Sequence, residues 1–438
     1  MANSFDAGKP GMPQGNEMPA SRFYPWIVLL MTVLLMFSDY STRQSITPMF
    51  PLIKAHWSLS DSQLGLLVSI VSISVGVTTI PIALLADRWG RVRSITLMAF
   101  VWCLATIFCG IAQSYDQMLA ARFIVGLGEG AYAAGGAALL AHAFPAHQRA
   151  AVMGTFQAAA LLGSMLGIIL GGGLAVKYGW QTTFIIVGAP GLLVAALFPF
   201  LVRDYKTVEF AHDGDAATKA PVSQRFKQIV REIFAARSGN LVFVGNGLQM
   251  GMPIVIVAWL TTYLNRYSGM ALEKAAGITA LSVLVGALGL ILGGALADRM
   301  SRNNPRARVL LPAAYAAMTG IFLIAAFALP PGPLALACIL IGALFSTAQA
   351  GPAVAMLVDV THPAVRTTVT GTCVVFGNLL GQALAPFLVG RMSDLFNLKA
   401  ALTVIPVISF AAALLFVLAA RSYVADTARQ AARSGTAH

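Results

Sequence analysis

Long apolar runs separated by short polar breaks fill almost the whole chain. They occupy residues 24–48, 61–85, 94–113, 117–143, 150–176, 181–202, 240–265, 275–297, 308–330, 333–359, 366–390 and 400–421. A helix needs roughly 20 apolar residues to cross the hydrocarbon core of a bilayer, so each run reads as one span. The pattern predicts an all-α integral membrane protein with twelve transmembrane helices. Polar residues dominate only one long internal stretch, between the sixth and seventh runs. The expected organisation is a disordered tail at 1–21, a six-helix half at 22–202, a linker at 203–239, a six-helix half at 240–421 and a tail at 422–438. Within the linker, residues 225–237 have amphipathic spacing. They are expected to form a basic helix, either lying on the membrane surface or simply solvated. The first run follows a polar stretch and is too long for a signal-peptide core.

The two halves repeat each other. Leu85-Ala86-Asp87-Arg88, closing the second run, recurs as Leu296-Ala297-Asp298-Arg299 at the end of the eighth, 211 residues later. Pro145, Arg149 and Gly154 at the start of the fifth run correspond to Pro363, Arg366 and Gly371 at the start of the eleventh, the last two pairs 217 residues apart. A parallel repeat of six-span halves is a transporter architecture, with pseudo-symmetric halves around a central cavity and the site near the midplane.

Composition narrows the class. Of 438 residues, 58% are hydrophobic and 11% charged, against about 25% charged in soluble domains; mean hydropathy is +0.76. The net charge of +12 would suit nucleic acid only if its distribution were ignored. With both termini on one side, that side holds 21 of the 29 Lys and Arg residues. The opposite side holds six: Lys54, Lys177, Arg266, Lys274, Arg391 and Lys399. Positive loops stay inside, so the termini are expected to be cytoplasmic and the protein to sit in the inner (plasma) membrane. The expected surroundings are the lipid bilayer, with no nucleic-acid partner and a single chain as the working unit. Cys103, Cys109, Cys338 and Cys373 fall in apolar runs and form no metal-binding pattern. No ATP-hydrolysis motif, metal site or cofactor motif is present, and no enzyme activity is expected.

Arg43 and Arg122 are left over from that loop count, and both lie inside runs. An ionisable group at membrane depth costs about 3 kcal/mol or more and marks an ion or substrate path. The fourth run pairs Arg122 with Glu129, seven residues on and therefore on one helix face. Gly126, Gly128 and Gly130 around them admit a close neighbouring helix. In the first run Asp39 and Arg43 are spaced i, i+4 and can pair. Asp39, Arg43 and Arg122 are expected at similar height, as an outer cluster with surplus positive charge for an anion. Glu129 is expected to lie deeper and, with Asp39, to handle a proton. The alternative is a buried ion network that only joins helices. The second half offers Asn246, Gln249 and Gln349 as hydrogen-bonding partners for cargo, or as links between helices.

These motifs resemble the major facilitator superfamily. Its loop pattern is matched at Leu85 to Arg91, through Asp87 and Arg88, and again from Gly294 to Arg299, through Asp298. Its fourth-span arginine–glycine pattern is matched by Arg122, Gly126 and Gly128. The resemblance implies that Asp87, Arg88, Arg91, Asp298 and Arg299 latch the halves during alternating access. Among its groups the chain is most similar to Spinster, through Leu59-Ser60-Asp61, Gly126-Leu127-Gly128-Glu129, Phe144-Pro145 and Gly179-Trp180. A secondary resemblance is to the anion:cation symporters. Both groups have an aspartate where Thr42 stands, and Asp39 lies one turn earlier. The resemblance implies a secondary active transporter, proton-coupled, for an anionic organic solute or a lipid-like amphiphile. The alternative is a drug/proton efflux antiporter. Its fifth-span motif is approached by Gly163, Gly167 and Gly171, but Ile168 replaces its proline, and the small-residue spacing reads as helix packing.

Overall fold

A computed structural model describes residues 23–203, 230–301, 307–362 and 365–433. The N-terminal tail and the linker, including its expected basic helix as far as residue 229, lie outside them. Among the described residues the chain is helical, with no strand. Eleven helical stretches are long and apolar enough to cross a membrane. One of them, Ala146–Leu201, contains two spans, because its backbone turns at Gly179 with φ 81° and ψ 158°. Only glycine adopts that conformation without steric cost. The count is therefore twelve.

Local chemistry sets the helix ends. Ser60 and Gln63 form a reciprocal capping box at the start of the second span, Asp61–Trp89. Ser114 caps the fourth span by accepting from Gln117 N, and Asn397 caps the twelfth by accepting from Ala400 N at 2.8 Å. The last helix runs on to Arg433, so most of the expected tail at 422–438 continues the twelfth span. Asp426 anchors it by accepting from the backbone N–H and hydroxyl of Ser238, at 2.9 and 2.7 Å.

The first, fourth, seventh and tenth spans each end their first helical segment at or beside an amide or carboxyl side chain. The first span is helical over Tyr24–Gln44, the fourth over Tyr115–Glu129, the seventh over Arg237–Gln249 and the tenth over Pro333–Ala348, with Gln349 at the join. Gln44, Glu129, Gln249 and Gln349 are all buried.

The halves are fused at one end and separate at the other. At the end distal to the termini one core contains residues of both, including Phe50 and Trp259, whose rings meet edge-on at 5.4 Å. Toward the termini each half has its own core, one around Trp102 and Tyr132 and the other around Phe243 and Phe416. The terminal-side glycines Gly154, Gly294 and Gly371 face open space, whereas Gly65 and Gly390 at the distal end press against backbone of the opposite half.

Candidate functional site

The fourth span carries its charges because two glycines let it approach its neighbours. A Cβ at Gly126 would meet Val71 O and Ser74, and one at Gly128 would meet Trp102 N and Met98 O, at 2.6–2.9 Å. The fourth helix therefore lies directly against the second and third, with Arg122 and Glu129 enclosed. Arg122 is 1% exposed and Glu129 7%.

The charges meet in an arrangement that differs from the expected one. Arg43 Nη1 pairs with Glu129 Oε2 at 3.3 Å, and Arg43 Nη2 donates to Ser72 Oγ at 3.0 Å. The ion pair of Arg43 therefore runs across helices to Glu129, and Glu129 is part of the cluster instead of lying apart from it. The i, i+4 rule concerns one helix surface alone; here the fourth helix presents a carboxylate to the same guanidinium. Asp39 is buried one turn before Arg43 on the first span, and its Oδ1 has no hydrogen-bond partner among the described residues. Arg122 sits at the height expected, donating from Nη2 to Arg43 O and from Nε to Leu67 O, both at 3.2 Å. It is a strut between the first, second and fourth spans. The accessible edge belongs to Arg43, whose side chain is 14% exposed.

Several polar atoms in this core lack a partner among the described residues: Asp39 Oδ1, Glu129 Oε1, Arg122 Nη1, Ser69 Oγ, Ser74 Oγ and Gln44 Oε1. Buried polar groups are costly unless paired.

A cavity of about 490 Å³ lies between the halves. Gly154, Gln157, Ala158 and Leu161 of the fifth span form one wall. The seventh, eighth and tenth spans form the other, and no charged side chain lines it. Asn246, Gln249 and Gln349 do not line this cavity. Asn246 Nδ2 donates to Cys373 Sγ at 3.2 Å, Gln249 Nε2 donates to Thr319 Oγ1 at 3.1 Å, and Gln349 is fully buried with neither amide atom paired. Both glutamines sit at helix joins. Ser346 and Thr347 reach the cavity instead.

The side chains of Asp87 and Arg88 lie outside the described residues. Arg91 opens the third span, and Arg299 lies in the last turn of the eighth. Asp298 reaches Arg308 of its own half at 3.7 Å. Arg308 Nη1 pairs with Asp359 Oδ2 at 2.6 Å, and Tyr423 OH donates to the same oxygen at 2.6 Å. The described contact of this second copy of the loop motif is therefore within one half.

Sequence reasoning used Asp61 only as part of a resemblance, yet it is the most heavily bonded carboxylate. It accepts from Lys54 Nζ at 2.6 Å, from both Arg266 Nη atoms at 2.7 Å and from Ser393 Oγ at 2.5 Å. Asp394 in turn accepts from the backbone N–H groups of Asp61 and Ser62, at 2.7 and 2.9 Å. The capping box was the one local signal of its position.

The three glycines of the fifth span make a backbone seam. A Cβ at Gly163, Gly167 or Gly171 would collide with the carbonyl oxygen of Phe37, Ser41 or Ser45 of the first span. Packing is what that spacing does here.

Comparison with known proteins places these features. The family model described as Major Facilitator Superfamily matches residues 29–386. A probable sulfoacetate transporter of Cupriavidus necator is 25% identical over 295 residues, 65% of this chain and 67% of that one. A probable L-galactonate transporter of Escherichia coli is 25% identical over 398 residues, 89% of this chain and 87% of that one. In fold the chain is similar to a bacterial homologue of the human lysosomal transporter Spinster, solved inward-facing and unoccupied. The TM-score is 0.82 at 24% identity, over 93% of this chain and 99% of that one.

Proposed function

The chain belongs to the Major Facilitator Superfamily, and on that premise we propose that it is a proton-coupled secondary transporter of an organic anion. The observation that carries this reading is the burial of two carboxyls beside two arginines: Glu129 pairs with Arg43, while Asp39 Oδ1 and Glu129 Oε1 face no donor among the described residues. A carboxylate has only acceptors, so a buried carboxyl oxygen that faces no donor is a place for a proton to bind. With both ionised, Asp39 and Glu129 offset Arg43 and Arg122. One proton on either carboxyl leaves the cluster with a surplus positive charge, which a monoanion neutralises. Proton and anion then enter together and neither is stable alone in a low-dielectric site.

The curated relatives support an organic anion as cargo, since their names specify sulfoacetate and galactonate. The bias of basic residues supports an inner-membrane location with both termini cytoplasmic. On that orientation the fused distal core makes this an inward-facing state. One chain supplies both halves and the cavity, which supports action as a monomer.

Reconstitution tests the reading. Flux of a labelled anion into proteoliposomes should follow an imposed pH gradient, and Glu129→Gln should abolish that dependence. A variant that responds to the gradient as the wild type does would sink the proton assignment.

A further inference from the structure

We propose that the transported anion carries one charged head, held at Arg43, and an apolar aryl or alkyl body seated in the cavity between the halves. Polyhydroxylated acids are then poor cargo. The proposal rests on the anion-transport reading above and names the class of anion.

The cavity wall is the first argument. The hydroxyls that reach the cavity are already committed as donors within the protein: Ser282 to Thr279 O, Ser346 to Ala343 O and Thr347 to Gly286 O. Their protons are unavailable, and the remaining lining groups are almost all aliphatic, such as Leu161, Ile256, Val283 and Leu290. Gln157 is the one amide on the wall. A sugar acid with four or five hydroxyls would exchange water for a surface offering few partners, and each unpaired hydroxyl weakens binding. An aliphatic chain or aromatic ring loses nothing there and gains burial. At about 490 Å³, the space is roughly three times a cavity that holds benzene.

Register links this space to the charge. The carbonyls of Phe37, Ser41 and Ser45 face Gly163, Gly167 and Gly171, so the first and fifth spans run side by side with a constant offset of 126 residues. Leu161 is thus level with Leu35. The backbone of Arg43 lies eight residues farther along, about 12 Å. Helical side chains lean toward the N-terminus of their helix, which shortens that axial distance, and the Arg43 guanidinium is held there by Glu129 and Ser72. Both halves line the space, so its shape changes as they move, as a transport path requires.

Equilibrium binding to the purified full-length protein in detergent tests this with four monoanions: 4-butylbenzoate, octanoate, gluconate and galacturonate. The two apolar-bodied acids should bind at least tenfold more tightly than the two sugar acids. Ala158→Trp, which fills the cavity, should erase that preference, and Ala287→Phe does the same from the opposite wall if the first variant folds poorly. Gluconate or galacturonate binding as tightly as 4-butylbenzoate would overturn the proposal. So would equal binding of the uncharged methyl ester, which would make the cavity a seat for membrane lipid. Gradient-driven flux of gluconate but not of 4-butylbenzoate would overturn only the apolar body and leave anion transport intact. No gradient-driven flux of any of the four would overturn the transport reading itself.

Discussion

Asp61 receives both Nη groups of Arg266, each at 2.7 Å, and this fork joins the second span of one half to the seventh span of the other. A bidentate guanidinium–carboxylate contact adds geometric specificity to its charge. Here it is reinforced by Lys54 and Ser393, and Asp394 fixes the backbone of Asp61 itself. The distal end is held shut by polar bonds laid over a shared apolar core.

Asp61→Asn should weaken that closure. The amide cannot accept the fork, and Arg266 loses its partner. Removing one member of a largely buried pair costs about 3 kcal/mol, and partial exposure of Arg266 brings the expectation nearer 2 kcal/mol. Accessibility of a single cysteine introduced at the distal end should rise by about tenfold or more toward a membrane-impermeant reagent. Unchanged labelling would show that the apolar core alone keeps the end closed.

The two buried arginines should separate on different readouts. Arg122→Met removes two bonds to backbone carbonyls, so yield and melting temperature should fall, in line with a cost of about 3 kcal/mol. Arg43→Gln deprives Glu129 of its ion pair. The melting temperature should therefore fall less at low pH, where Glu129 takes a proton, than at high pH. Anion affinity should fall by about 100-fold, measured by ligand-induced thermal shift.

Asp39 and Glu129 should behave as one unit. If they hold a proton between them, Asp39→Asn alone and Glu129→Gln alone each remove the coupling, and the double variant removes nothing more. Interacting residues give such non-additive cycles. Independent, additive losses in gradient-driven flux would mean that the carboxyls act separately.

Two neighbouring glycines make a control for helix packing. Gly173 faces open space, and Gly173→Ala should be neutral or stabilising by up to about 1 kcal/mol through helix propensity. Gly167 lies on Ser41 O, and Gly167→Ala should destabilise by about 1–3 kcal/mol through overpacking. Thermal unfolding in detergent distinguishes them.

The spans, the two halves and the buried charges were legible in the sequence because each rests on a local rule. Hydrophobic length gives spans, repeated motifs give halves, and the cost of ions in lipid picks out Arg43, Arg122 and Glu129. The pairing of Arg43 with Glu129 was not legible, because it depends on how the first and fourth helices are rotated toward each other. Asp61 escaped for a similar reason, since its partners Arg266 and Ser393 lie over 200 residues away. Gln249 and Gln349 escaped in the opposite sense, because spacing along one helix does not tell a cavity-lining amide from one buried among its neighbours, as these are.

The glycine seam sets the backbones of the first and fifth helices directly against each other at three positions, so neither slides or rolls without a collision of backbones. Arg43 on one and the Leu161 wall on the other are thus hitched to a single lever, while the facing wall belongs to the opposite half. When the halves part, a ligand spanning both places loses one side of its grip on the body before it loses its grip on the head. Departure is then a peeling motion that begins at the apolar end, and the charge is the last bond to break.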